Sequence, residues 1–368
     1  MTYRIFVFLI LVGFLLAGTA LAQEEAELTY EKALSCVEEK LPATVYSTNE
    51  YLPTEADLTN ITPLEETVTI VLGFPWIKND EEGPWYNAEE LGYFADEGLV
   101  VIFEPGGPGI NHLQTMAGGA VDIAISAGGA AIPQALASPT PIEGLMVVGT
   151  FLKGSPFALI TIREDLLGKE ITPADLEGMI IGTQSTAFFY FDMLFAKYDI
   201  PRQEDELLAA GSGPEVIFTE TADFYTGWIM NQPRAVEAWL VEQGKPADAW
   251  NAMMYRDWVY DEYSDVIVVS GEMLSTEEGR DVVRRFMRAT YRGLQYLLDN
   301  PEDSARIAVK YADEGEGLTE DAAMFRFEHQ EFLIYGNDGL GLMATAPEKW
   351  NHMAATLTQY GNMPLECE

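Results

Sequence analysis

Aromatic side chains carry most of the chemistry that can be read in this sequence. Trp76, Trp85, Tyr86, Phe151, Phe188, Phe189, Tyr190, Tyr225 and Trp228 fall in or beside loops that follow apolar, strand-like runs. Two such rings can sandwich a flat, uncharged heterocycle, each stacked pair contributing roughly 0.5–1.5 kcal/mol beyond burial. Asn111, Ser126, Thr183, Ser185, Asp223 and Asn231 lie in the same loops and suit the polar edge of such a ring. A carboxylate such as Asp223 accepts from two N–H donors. Gly107 and Gly128 would add exposed backbone N–H groups. The candidate ligand-binding set is therefore Trp76, Tyr86, Gly107, Asn111, Ser126, Gly128, Thr183, Ser185, Phe188, Asp223, Tyr225, Trp228 and Asn231. Plainer roles compete at each position. Trp76 and Tyr86 suit core packing, and Asp223 suits a cap. Of the consecutive Phe188 to Phe191, at most two share a face; Trp228 and Asn231 share one if their segment is helical.

No catalytic or metal-binding set stands out. His112, His329 and His352 are scattered, without metal-ligand spacing, and neither cysteine sits in a nucleophile motif. The acidic run Asp313 to Gly317 lacks the alternating ligands of a calcium loop. An oxyanion needs a cation or several oriented N–H donors. The loops expected to face the pocket offer Lys78 and Lys153 but no arginine. No cofactor and no metal are expected.

The element that must position these residues runs from Gly98 to Gly129. Leu99 to Phe103 reads as a strand buried on both faces. Glu104 to Gly109 is too rich in Gly and Pro to be anything but a sharp loop. Ile110, Leu113, Met116 and Ala117 have helical spacing, and Val121 to Ile125 is a second strand. A right-handed crossover makes the two strands parallel. Ligands in such sheets sit off the carboxyl ends of the strands, here the loops Gly106–Asn111 and Ser126–Gly129.

At 368 residues the chain is long enough for two full-size cores. Arg4, the apolar run Ile5 to Ala17 and the small-x-small triplet Ala20-Leu21-Ala22 predict an export signal cut near Ala22/Gln23. The apolar run is short for a membrane span. A mature protein in the periplasm is expected, where Cys36 and Cys367 could form a disulfide. A net charge of −38 excludes nucleic acid as a partner. That acidity suits a solvated surface in a salty setting.

Residues 23–66 read as an N-terminal extension: a helix from Glu27 to Leu41, then a proline-punctuated linker or arm. Thr67 to Gly73 is the first convincing strand. Pro84 opens a helix, Trp85 to Phe94, at a position proline favours. Strands and helices then alternate, a doubly wound α/β pattern. A second strand–loop–helix unit follows: Met179 to Gly182, Thr183 to Thr186, and a helix from Ala187 to Tyr198. Asp265 to Ser270 is a late strand, and Thr276 to Leu298, Pro301 to Tyr311, Thr319 to Tyr335 and Pro347 to Tyr360 are helical. This predicts lobe 1 from residues 67–162 and 265–368, lobe 2 from 163–264, a hinge between them and a helical C-terminal tail.

Three segments carry a family resemblance. EELGYFADEGLVVIFEPGGPGINHLQTMAGGAVDIAI resembles the signature of periplasmic solute-binding proteins of the alkanesulfonate and thiamine-pyrimidine-precursor class. Asp223 to Trp228 with Asn231-Gln232-Pro233 is similar to a segment of members that carry vitamins or their precursors. Arg285 to Ile307 resembles the C-terminal helix pair of the class. The resemblance spans roughly residues 67–335. It implies a periplasmic-binding-protein-like fold of type II and a monomeric receptor rather than an enzyme. Such a receptor closes on a small aromatic heterocycle, a thiamine pyrimidine precursor or a riboflavin-like vitamin, and delivers it to the ABC permease of the inner membrane. An alkanesulfonate- or nitrate-type oxyanion is the alternative ligand. An exported enzyme or a sensor domain is the alternative of another class. The chain departs from some pyrimidine-binding relatives: its stretch Asn79 to Gly83 has no histidine, and it lacks the cysteine-rich motif of the eukaryotic synthase relatives.

Overall fold

The computed structural model describes residues 28–107, 109–203 and 206–367. The expected export signal, residues 1–22, lies outside them. Among the described residues ten strands form two five-stranded sheets. They are β1 (Val68–Gly73), β2 (Leu99–Glu104), β3 (Ile123–Gly128), β4 (Leu145–Leu152), β5 (Phe157–Thr161), β6 (Ile181–Thr183), β7 (Leu207–Ala209), β8 (Phe224–Trp228), β9 (Asn251–Met254) and β10 (Ser264–Ser270). The first sheet has the order β2-β1-β3-β10-β4 and the second β7-β6-β8-β5-β9. β1 is parallel to β2 and β3, and β6 is parallel to β7 and β8. β10 and β5 run antiparallel to their neighbours. The chain passes between the sheets twice, through residues 153–156 and 255–263.

Position in the sheet decides how each strand is buried. The VIVV run of β10 lies between two strands and is wholly buried. β2 corrects the expectation of a strand buried on both faces. It is an edge strand whose Val100 and Ile102 are 49% and 48% exposed, while Leu99 and Val101 face the core. The helix expected over Trp85 to Phe94 is two pieces, Gly83–Glu90 and Tyr93–Asp96. Gly92 breaks it with a φ of 75°, a left-handed value that glycine adopts without strain.

The 23-residue helix Glu277–Asp299 locks this region in place. Its N-cap Thr276 accepts from the Gly279 N–H, and Gly293 lets it lie directly on the helix Gly83–Glu90. A Cβ at Gly293 would come within 2.0 Å of the Pro84 carbonyl. Two bonds of 2.5 Å from Arg288 to the fully buried Glu97 fasten the far end. A bidentate guanidinium–carboxylate pair is the form that best repays burial of a charge. The turn before Gly83 is thereby held rigidly at the end of β1.

The N-terminal arm closes an open edge. Tyr46 is fully buried against Trp350, and its carbonyl accepts from the Val147 N–H at 2.8 Å. Thr48 donates to the Val147 carbonyl, so the arm pairs with β4 and covers a sheet edge otherwise open to pairing with other chains. The helix Tyr30–Lys40 packs on the helix Pro347–Gln359. A disulfide joins Cys36 to Cys367 across 331 residues, with Cα atoms 5.7 Å apart. No helix among the described residues is long and apolar enough to cross a membrane.

Closing a loop that long removes unfolded-state entropy equivalent to about 6 kcal/mol as an upper figure. Reducing the bridge, or replacing Cys36→Ser with Cys367→Ser, should lower the guanidinium unfolding midpoint clearly. An unchanged midpoint would mean that the two ends are already held by packing alone.

Candidate functional site

The parallel strands of each sheet end at one edge, and the two edges face each other across a cavity of about 650 Å³. From the first sheet, β1 leads into Pro75, Trp76 and Ile77, and β3 ends at Ala127 and Gly128. From the second, β6 ends at Thr183 and β8 at Thr226, Gly227 and Trp228, with Asn231 and Gln232 just beyond. Phe157 of β5 and Phe189 and Tyr190 of the helix Phe188–Lys197 complete an aromatic wall. The Phe189 and Tyr190 rings lie 4.1 Å apart between centroids, and Phe157 is 5.0 Å from Tyr190. Of the expected set, Trp76, Gly128, Thr183, Tyr225, Trp228 and Asn231 line this cavity together.

Hydrogen bonds shape the second-sheet wall. Thr226 donates to the Thr183 hydroxyl at 2.5 Å, tying β8 to β6. The Tyr225 hydroxyl donates to the Gly211 carbonyl. The Trp228 N–H donates to Gln232 at 2.7 Å, turning the chain into the helix Gln232–Glu242. Trp228 and Asn231 therefore do not share a helix face. One ends a strand, and the other stands at the N-cap of the helix.

The remaining expected residues are not among those lining the cavity, and each has another occupation. Tyr86 is fully buried, stacked on Tyr311 at 5.0 Å and edge-on to Phe74. Asn111 caps the helix His112–Ala117, accepting from the Leu113 and Gln114 N–H groups. Ser126 donates to the Gly128 carbonyl, 3.0 Å away. Ser185 stands exposed in a 3₁₀ turn, and Phe188 packs against the core. Asp223 precedes β8, at the end away from the cavity, where it pairs with Arg163 and accepts from the Ile180 N–H at 2.9 Å. Gly107 adopts a φ of 139°, open to glycine, close to Ile77. Its neighbour Gly106 donates to the Trp76 carbonyl and lies so near Phe74 and Pro75 that no Cβ fits. The Gly-Gly loop thus buttresses the Trp76 loop.

The cations also differ from expectation. Lys153 is buried on Asp338 and the Leu340 carbonyl, and Lys78 pairs with Asp313 at 3.5 Å. The cavity does hold an arginine, Arg326 of the helix Glu320–Tyr335. It is 2% exposed, with Asp80 at 2.8 Å and the Glu81, Glu82 and Asp265 carboxyls around it. Burial pushes the Glu81 and Asp265 carboxyls above the usual carboxylate range. Glu262, on the crossing into β10, is the second acidic wall. One of its oxygens accepts from the Ala130 N–H at 3.1 Å and the other from the Tyr190 hydroxyl at 2.9 Å. Burial raises it to about 7, against the lowering effect of those two bonds. A Cβ at Gly128 would sit 3.3 Å from Glu262, so glycine there makes room for this carboxyl. Glu81, Glu262 and Arg326 escape sequence reasoning because nothing in their local pattern separates them from surface charges.

The NMT1/THI5 like family model matches residues 79–304. The riboflavin-binding protein RibY of Chloroflexus aurantiacus is 25% identical over 312 residues, covering 81% of this chain and 82% of the relative. The formylaminopyrimidine-binding protein of Halalkalibacterium halodurans is 25% identical over 256 residues, covering 68% and 72%. Among solved structures, the alkanesulfonate-binding protein SsuA from Xanthomonas axonopodis pv. citri bound to MOPS superposes with a TM-score of 0.52 at 15% identity. That match covers 82% of this chain and 96% of the other. At that identity the likeness concerns the fold, two α/β sheets of the type II periplasmic-binding-protein kind. The match over more than half its length makes this chain a member of the NMT1/THI5-like family.

Proposed function

We propose that this chain is the periplasmic solute-binding component of an ABC importer. It captures a small aromatic heterocycle, a thiamine pyrimidine precursor or a riboflavin-like vitamin, by hinge closure and presents it to a membrane permease as a monomer. One observation carries this reading: aromatic side chains from both sheets' sides, Trp76 after β1 on one and Trp228 at the end of β8 with Phe189 and Tyr190 of the helix Phe188–Lys197 on the other, line one cavity. Flat rings bind between such faces. The cavity volume of about 650 Å³ suits a ring system of vitamin size. The ligands named for the two curated relatives are of the same kind. An alkanesulfonate or nitrate fits poorly, because the one arginine among the described residues lining the cavity is already surrounded by four carboxyls. The site residues we assign are Trp76, Gly128, Thr183, Tyr225, Trp228 and Asn231, with Phe157, Phe189 and Tyr190 added. A receptor role, not catalysis, accounts for this lining.

Connectivity supports hinge closure. The expected bounds, lobe 1 as 67–162 and 265–368 and lobe 2 as 163–264, shift to the two passages 153–156 and 255–263, because β5 pairs within the second sheet; two strands of chain join the lobes. Glu262 sits on the second and holds one donor from each side, Ala130 and Tyr190. The folded-state value of about 7 lies above the unfolded one. The neutral carboxyl therefore contributes stability below roughly pH 4.5, and the contribution is lost as pH rises through about 7.

Tryptophan fluorescence should respond saturably to a pyrimidine or flavin and not to an alkanesulfonate, and Trp228→Ala should weaken ring binding about ten-fold or more. A response to sulfonate alone would sink the ring reading. Thermal stability of the native protein should fall between about pH 5 and 7.5 by more than that of Glu262→Gln, which has no proton to lose. Identical pH profiles would remove Glu262 from the hinge.

A further inference from the structure

One cluster at the cavity floor is not used by aromatic stacking. Asp80, Glu81, Glu82, Asp265 and Arg326 are all 7% exposed or less. One guanidinium faces four carboxyls, and a site this dry does not hold that imbalance as free charge. Protons must stay on the carboxyls, in line with the upward displacement that burial imposes on Glu81, Glu82 and Asp265. Within the cluster Arg326 Nε faces Asp80, and Glu82 accepts from the Asn79 N–H. Neither oxygen of Asp265 meets an N–H or O–H donor; the group facing it is the Glu81 carboxyl. Glu81 Oε1 and Arg326 Nη1 have no hydrogen-bond partner, and both residues line the cavity. A buried polar atom without a partner costs about 1–3 kcal/mol.

We propose that Glu81, backed by Asp265 and Arg326, is the specificity-determining residue of the cleft, and that it reads a ligand edge carrying an N–H donor beside a ring nitrogen. This rests on the heterocycle reading above and narrows it. The complementarity holds in either charge state. A protonated carboxyl offers one acceptor and one donor, matching an amino group beside an unprotonated ring nitrogen. An ionised carboxyl offers two acceptors, matching the same edge when the ring nitrogen carries a proton. Sulfonate and nitrate present only acceptors and negative charge. The groups facing Glu81 are Asp80 and Glu82 on its own turn, Asp265 on β10 and Arg326 on the helix Glu320–Tyr335, with the Tyr86 hydroxyl behind Glu82. None but Arg326 opposes a cationic edge.

The test is calorimetric titration of the full protein with 4-aminopyrimidine and with 4-methylpyrimidine, which has the same shape without the donor. The amino ring should bind about ten-fold tighter or more, since a site built around a polar edge rejects the analogue lacking it. Glu81→Leu should bring the ratio to near one. Glu81→Gln, which keeps one donor and one acceptor, should retain the preference but flatten its dependence on pH. Equal affinities in the native protein, a ratio untouched by Glu81→Leu, or a pH dependence untouched by Glu81→Gln overturns this inference alone. If neither ring binds and only a sulfonate does, the heterocycle reading fails and takes the inference with it. Should Glu81→Leu fail to fold, the Gln variant and its pH profile decide.

Discussion

Parallel strands end together, and that constraint sets everything else in this molecule. Within each sheet the strands that feed the cavity, β1 with β3 and β6 with β8, run the same way. Their carboxyl ends form one edge, where the chain must turn and its backbone groups face outward. Two sheets joined by two passages of chain bring those edges face to face. The ligand space is thus a product of topology, and the side chains at the turns only decide what fills it. A ring between Trp76 and the Trp228 wall would contact both sheets at once, which is what favours closure over an open pair of lobes.

Electrostatics then divides the labour among few cations. In a chain with 21 basic and 59 acidic residues, most arginines are spent on fastening elements. Arg288 clamps Glu97, Arg163 ties Asp223 to the start of β8, and Arg326 anchors the acidic turn after β1. Among the described residues the arginine lining the cavity, Arg326, stands among four carboxyls, which leaves little net positive charge there to meet an anion. The acidity is therefore not only a surface property: at Glu81 and Glu262 it reaches the ligand space, where burial pushes both carboxyls above the usual carboxylate range.

Much of the scaffold was legible in the sequence because it depends on local pattern. Gly98 to Gly129 announced a strand, a sharp loop, a helix and a second strand, and the four C-terminal helices lie within a residue or two of their expected bounds. β2 was misjudged because an edge strand and a central one share the same β-branched composition; only the neighbour count differs, and neighbours are set at long range. Tyr86 and Asp223 were misplaced for a related reason. A helix turn after a loop looks the same whether it faces a cleft or a core, and Asp223 lies at the wrong end of its strand. Six of the thirteen candidate residues do meet at the cavity, and all six except Tyr225, which lies within β8, follow or end β1, β3, β6 or β8. The acidic walls were invisible, since Glu81, Glu262 and Arg326 come from a turn, a crossing and a distant helix.

The most direct measurement is a crystal structure of the protein with the small molecule it retains through purification, identified in parallel by mass spectrometry. The account predicts an aromatic ring lying in the cleft, in contact with Trp76 from one sheet and with Trp228, Phe189 or Tyr190 from the other. A bound molecule without a ring, or a ring held elsewhere while the cleft stays open, would contradict it.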